Sequence, residues 1–179
     1  MRTYLFGALM LLGEGRNFAA EDAFIASALH DLGLLPPFES ARESFETDGA
    51  NTAERWALGH GDTAGAADRI WYAVQMHDGP WALTRRQGAE AMLVALGAGI
   101  DVDGPQPGQL EPARIAQVLE AFPRLDFKRQ FTALLIAHCQ RKPDSQHATW
   151  LEGLCATHAH GRQGRQEVEQ AIAAAPFSE

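Results

Sequence analysis

Glu21-Asp22-Ala23-Phe24-Ile25-Ala26-Ser27-Ala28-Leu29-His30-Asp31-Leu32-Gly33-Leu34, residues 21–34, is the stretch on which the reading of this 179-residue chain turns. Two acids open it, and negative charge in a first turn suits the positive end of a helix dipole. Phe24, Ile25, Ala28 and Leu29 recur at helical spacing and are expected on a buried side. Gly33 and then Pro36-Pro37 end the helix, since neither residue type continues one well. A His-Asp pair closing so apolar a helix is unusual, because a carboxylate buried without a partner is costly.

Outward from this stretch the same pattern repeats, helix then short loop, with no convincing strand. Tyr4, Leu5, Ala8, Leu9 and Leu12 make a face and read as a first core helix rather than a short signal peptide, because the basic segment before them is minimal and no clear cleavage site follows. A polar, irregular loop is expected from Leu35 to about Thr47. Asp48 or Asn51 then caps a helix through Ala53, Trp56, Ala57 and Leu58. Further helices are expected over Asp68–His77, with Ile70, Val74 and His77 in line, and along Ala89, Leu93, Leu96 and Ile100, with Asp101 directly after. Pro112 opens one with Ile115, Val118, Leu119 and Phe122. Asp126 caps a strong one with Phe127, Phe131, Leu134, Leu135 and His138 inward. A weaker helix around Trp150, Leu151 and Leu154 and an Ala-rich one over Glu167–Ala175 complete the chain. No repeat or linker divides it, and the expected fold is all-α: one compact helical bundle over residues 1–179.

Composition narrows the function. The net charge of −8 repels phosphate backbones, which argues against nucleic acid as a partner. No apolar run is long enough to span a bilayer, so no membrane partner is expected. The two cysteines, Cys139 and Cys155, form no CxxC pair; they suit a reducing cytoplasm and suggest no disulfide framework. Arg141, Lys142, Arg162 and Arg165 read as solvated surface, and Arg85-Arg86 as exposed charge. The tryptophans read as core or pocket wall. Cys155, His158 and His160, with His147 and Cys139 nearby in sequence, make a weak alternative zinc set whose spacing fits no standard signature.

His30 and Asp31 point about 100° apart on a helix, so both can reach one ion. Imidazole with carboxylate suits a divalent metal such as Zn, Fe or Mn. Asp101, between Ile100 and Val102, is a second carboxylate in an apolar setting that calls for a partner. His77 reads as a ligand, a proton shuttle or a hydrogen-bonded core histidine.

The order His-Asp, a later His, then a Gly-rich helix ending in Asp resembles the HD superfamily of metal-dependent hydrolases, and in particular a bacterial branch similar to cyanamide hydratase. The stretches that carry the resemblance are Arg2–Gly7, Ala28–Pro37, Phe45–Ala50, Val74–His77, Gly97–Val102 and Phe122–Arg129. It implies His30, Asp31 and Asp101 as ligands of a divalent metal ion, with Asp31 also orienting a water. His77 becomes a pocket residue that shuttles a proton, and Glu46 and Asp48 lie on a loop closing the pocket. The family's first ligand, a His just upstream of the Arg-x-Tyr-x-Phe stretch, has no counterpart before Arg2, and His77 or His60 are the candidates to replace it. The implied activity is hydrolysis or hydration of a small-molecule substrate, nitrile- or cyanamide-like, with a phosphohydrolase or a non-catalytic binding module as alternatives. Several apolar helix faces also make a homo-oligomer an expectation.

Overall fold

Helix α1 (Arg2–Gly13) lies directly on α6 (Ala89–Asp103), and two glycines allow it. A methyl group on Gly97 would stand 1.8 Å from the Thr3 carbonyl oxygen, and one on Gly7 would stand 2.1 Å from that of Leu93. The two backbones therefore touch, and no larger residue fits at either position. In the computed structural model, which describes residues 1–146, 149–161 and 167–177, this pair anchors an all-α bundle with no strand among the described residues.

Around the pair pack α2 (Ala20–Leu29), α3 (Phe45–Gly59) and α4 (Ala64–Gln75). Their shared core is built largely of alanine, with Ala23, Ala26, Ala50, Ala53, Ala57 and Ala73 surrounding Leu11, Ile70, Val74 and Leu93. Small side chains let helices approach closely, which brings the ends of α2 and α4 together. Ser44 Oγ accepts from the Thr47 amide to start α3, and Thr63 Oγ1 accepts from the Ala66 amide to start α4. Both starts are earlier than expected: α3 begins at Phe45, inside the anticipated loop, and α4 begins four residues before Asp68.

The short α5 (Trp81–Thr84) and then α7 (Pro112–Ala121), α8 (Phe127–Arg141), α9 (Glu152–His158) and α10 (Glu167–Ala174) cover the rest. A second core joins Leu34, Phe45, Phe131, Leu135, Leu151, Leu154 and Ile172. In a third, Phe6 stacks on Phe177 at 6.2 Å. No described helix is long and apolar enough to cross a membrane.

Several expectations are corrected. On α1 the buried residues are Thr3, Phe6, Gly7, Ala8 and Leu11, while Leu12 is 60 % exposed, because the glycine crossing rather than the largest side chains sets the inward face. On α2, Ala23, Ile25 and Ala26 face inward, whereas Phe24 is partly exposed and meets Tyr4 edge-on at 5.6 Å. Trp56, Leu58 and Trp81 are exposed as well. Cys139 on α8 and Cys155 on α9 form a disulfide, a pairing created by helix packing that no spacing rule reveals.

Lys142 is buried rather than solvated, whereas Arg141 is exposed as expected but ion-paired. The buried Lys142 Nζ lies 2.6 Å from Asp48 Oδ2 and donates to the Glu43 carbonyl. Arg141 donates to Glu39 Oε1 at 2.6 Å and to the Leu34 carbonyl at 2.9 Å, and His138 Nδ1 lies 2.9 Å from the same Glu39 oxygen. These contacts fasten residues 34–48 onto α8. Arg162 and Arg165 lie outside the described residues.

Candidate metal centre

The α2 helix stops at Leu29, and His30 and Asp31 lead into a tight turn over Leu32–Leu34. Gly33 fixes that turn against α3: a methyl group there would stand 1.9 Å from the Phe45 carbonyl oxygen and 2.8 Å from the Gly49 amide. Across from it α4 ends at Gln75, which sets His77 just beyond the helix rather than on it.

His30 Nδ1 lies 2.9 Å from the Ser27 carbonyl oxygen, and His77 Nδ1 lies 2.6 Å from that of Val74. A carbonyl only accepts, so both rings carry their proton on Nδ1 and turn an Nε2 lone pair the other way. Both lone pairs meet Asp31. His30 Nε2 is 3.2 Å from Oδ2, and His77 Nε2 is 3.8 Å from Oδ1. The ligand atoms of all three residues lie within 4.8 Å of one another, and the two rings meet edge to face at 5.0 Å.

Three acceptors facing each other with no hydrogen between them repel, and a cation at their centre relieves it. A proton on His30 is disfavoured because burial pushes that imidazole down, and the nearby Asp31 charge offsets this only in part. A divalent ion answers the same need, and two imidazoles with one carboxylate form a donor set that Zn, Fe and Mn accept. Among the described residues no other group of three such side chains converges.

The trio opens on a cavity of about 230 Å³. Ala98, Gly99 and Val102 of α6 make one wall, Phe131 of α8 and Trp150 make another, and Asp78 and Asp103 add carboxyl groups. The cavity falls below the roughly 300–1,000 Å³ of sites for drug-sized ligands.

Asp101, expected among the ligands, is not brought to the trio. Its Oδ1 accepts from Arg2 Nε at 2.7 Å and from an Arg124 guanidinium nitrogen at 2.9 Å. Both guanidinium groups also stack over the Phe127 ring. The partner that this buried carboxylate calls for is a pair of cations from the protein. Glu46 and Asp48 sit in the first turn of α3 rather than on a closing loop, and Asp48 is committed to Lys142. His60 stacks on the Trp56 ring at 4.0 Å with its Nδ1 on the Trp56 carbonyl. The alternative zinc set is dispersed: Cys155 is in the disulfide, His158 meets Glu169, and His160 meets Asp144. His147 lies outside the described residues.

One functional candidate, Asp78, went unread in the sequence, and Glu46, expected only on a loop closing the pocket, stands beside it. Asp78 lines the cavity, and Glu46 stands behind it with its second oxygen buried. Burial and the neighbouring Asp78 charge push Glu46 up to about 8, and burial raises Asp78 to about 6. Glu46 Oε2 and Asp78 Oδ2 are both buried without a hydrogen-bond partner, and a proton retained by Glu46 would satisfy the two oxygens at once. The signal was present: His77-Asp78 is a second His-Asp pair, followed by Gly79-Pro80.

No family model matches the chain, and no curated protein matches it at a significant level.

Proposed function

We propose that this protein is a metal-dependent hydrolase or hydratase of the HD type, similar to cyanamide hydratase, that binds a divalent ion (Zn, Fe or Mn) through His30, Asp31 and His77. The observation that carries the reading is the convergence of two imidazole lone pairs and a carboxylate within 4.8 Å, with both outer ring nitrogens held by backbone carbonyls. When bound, the ion supplies Lewis acidity, lowering the pKa of water and offsetting negative charge that develops on the substrate.

The chain's own residues do the rest. Asp31 faces both rings and orients the water. With His77 committed to the ion, Asp78 is the cavity carboxylate that accepts a proton from water and returns it to the substrate, in place of a His77 shuttle. Hydration of a nitrile-like group balances as water adding across the carbon–nitrogen triple bond, oxygen to carbon and hydrogens to nitrogen, to give an amide. The cavity lining favours this over a phosphoester. It holds Asp31, Asp78 and Asp103 and, among the described residues, no lysine or arginine to neutralise a phosphate.

Elemental analysis and thermal unfolding with and without chelator test the reading. The wild type is expected to hold about one divalent ion per chain, and H30A and H77A to lose it. D101N is expected to keep the ion, because Arg2 and Arg124 already occupy Asp101. A wild type with no ion and a melting temperature indifferent to chelator would overturn the metal centre. A metal-loaded protein that converts neither cyanamide nor simple nitriles, and releases no phosphate from phosphoesters, would favour the binding-module alternative.

A further inference from the structure

Gly99 stands inside α6, which runs from Ala89 to Asp103. Alanine is favoured over glycine in a helix interior, because glycine gives up more backbone freedom on folding. A glycine kept there needs a reason, and for Gly97 the reason is the Thr3 carbonyl oxygen of α1, 1.8 Å from where its methyl group would stand. Gly99 has no such neighbour: nothing lies within 4 Å of its missing methyl group. Gly13 and Gly59 have the same free space, but they are the last residues of α1 and α3, where the interior penalty does not apply.

Helix geometry says where the space is. Two residues turn a helix by about 200°, so with Gly97 against α1, Gly99 faces the other way. Ala98, Gly99, Val102 and Asp103 together line the cavity. Gly99 and Asp103, four residues apart, share one row along the helix. Asp103 is exposed at the rim, Gly99 is half-buried one turn further in, and Ala98 beside it is buried. The vacant position therefore opens into the cavity. That cavity is also larger than a bare nitrile needs: its 230 Å³ is room for roughly seven or eight waters at about 30 Å³ each. Ala98, Val102, Phe131 and Trp150 give it apolar walls.

We propose that Gly99 is the size-determining residue of the cavity: by carrying no side chain it leaves space for an apolar substituent, a few carbons long, on a substrate whose reacting group lies at His30, Asp31 and His77. The substrate class is then an alkyl-substituted nitrile or cyanamide rather than the unsubstituted molecule. This rests on the reading that the cavity is the substrate site, but the size limit is measurable without metal or turnover.

The test uses the full chain stripped of metal by chelator. Acetonitrile, butyronitrile and hexanenitrile are titrated into wild type, G99A, G99V and G99L, followed by the Trp150 indole N–H resonance, which is assigned with W150F. Wild-type affinity is expected to rise with chain length, by up to about fourfold per buried CH₂. G99L is expected to leave acetonitrile within about twofold of wild type and to weaken hexanenitrile by on the order of tenfold or more, with G99V between. G99A, whose methyl group meets no atom of the fold, keeps the series readable if the larger side chains impair folding; it should weaken hexanenitrile by about fourfold, the equivalent of one displaced CH₂. A wild type indifferent to chain length, a G99A or G99L protein that binds hexanenitrile as tightly as wild type, or an equal loss for all three nitriles overturns the proposal. Failure of the metal centre shows instead in elemental analysis and leaves these chain-length ratios as they are.

Discussion

Replacing Gly97 and Gly99 by alanine, one at a time, is expected to move stability in opposite directions although the two positions share α6 and are two residues apart. In a helix interior alanine is favoured over glycine by about 0.5–1 kcal/mol, through backbone entropy. Gly99 has nothing within 4 Å of where its methyl group would go, so G99A keeps that gain. At Gly97 the methyl group would lie 1.8 Å from Thr3 O, 2.7 Å from Thr3 C and 3.2 Å from Gly7 N, all backbone atoms that no side-chain rotation can move. Restoring an ordinary 3.4 Å contact from 1.8 Å requires α1 to withdraw by about 1.6 Å. That belongs at the top of the roughly 1–3 kcal/mol range for overpacking, so G97A is expected to destabilise by about 2 kcal/mol after the helix gain is subtracted. Urea unfolding followed by circular dichroism reads both variants, as opposite shifts in midpoint at constant slope. The withdrawal also strains the 2.7 Å contact between Arg2 and Asp101, at the same interface. A G97A protein as stable as wild type, or a G99A protein destabilised like G97A, would refute the backbone-contact account of the α1–α6 pair.

Stability of the metal-free protein is expected to fall by about 2 kcal/mol from pH 6.5 to pH 8. Native Glu46 holds its proton to about 8 whereas the unfolded chain releases it near 4.5, so the native state binds more protons across that window and loses stability as pH rises. His30 and His138, both lowered by burial, act below about pH 6.5, where the unfolded chain gains protons and stability falls with falling pH. E46Q should flatten the alkaline limb in pH-dependent urea titrations; an unchanged limb contradicts the shared-proton pair. K142M leaves the buried Asp48 carboxylate without its cation and is expected to cost about 3–5 kcal/mol, much of it recovered in K142M/D48L. Equal losses in the single and double variants would contradict this. Reducing the Cys139–Cys155 bond, or the C139A/C155A pair, opens a link across a sequence separation of 16 and should cost about 3 kcal/mol, or about 6–12 °C in Tm by calorimetry.

The parts of this molecule that sequence made legible are those governed by local periodicity. The α8 stripe of Phe127, Phe131, Leu135 and His138 and the proline start of α7 follow from spacing and backbone chemistry alone. What stayed hidden depends on which helices meet. Gly7 and Gly97 decide the inward face of α1 only because each touches the other helix's backbone, and Cys139 meets Cys155 only because α8 and α9 pack side by side. The site divides the same way. His30–Asp31 was visible because charge at the end of an apolar helix is locally anomalous, and Asp101 drew notice for the same reason. Anomaly marks a need for a partner without naming it. For His30 the need is, by our proposal, for a divalent cation, since the imidazole lone pairs of both His30 and His77 converge on the carboxylate of Asp31. For Asp101 the fold does provide one, through Arg2 from the opposite end of the sequence and Arg124 from the segment before α8. A buried carboxylate in a sequence therefore identifies a place where charge must be balanced. Whether a side chain, a proton or an ion balances it is settled by residues distant in the sequence, and here four carboxylates have three different answers: guanidinium for Asp101, a retained proton for Glu46 beside Asp78, and a metal ion, by our proposal, for Asp31.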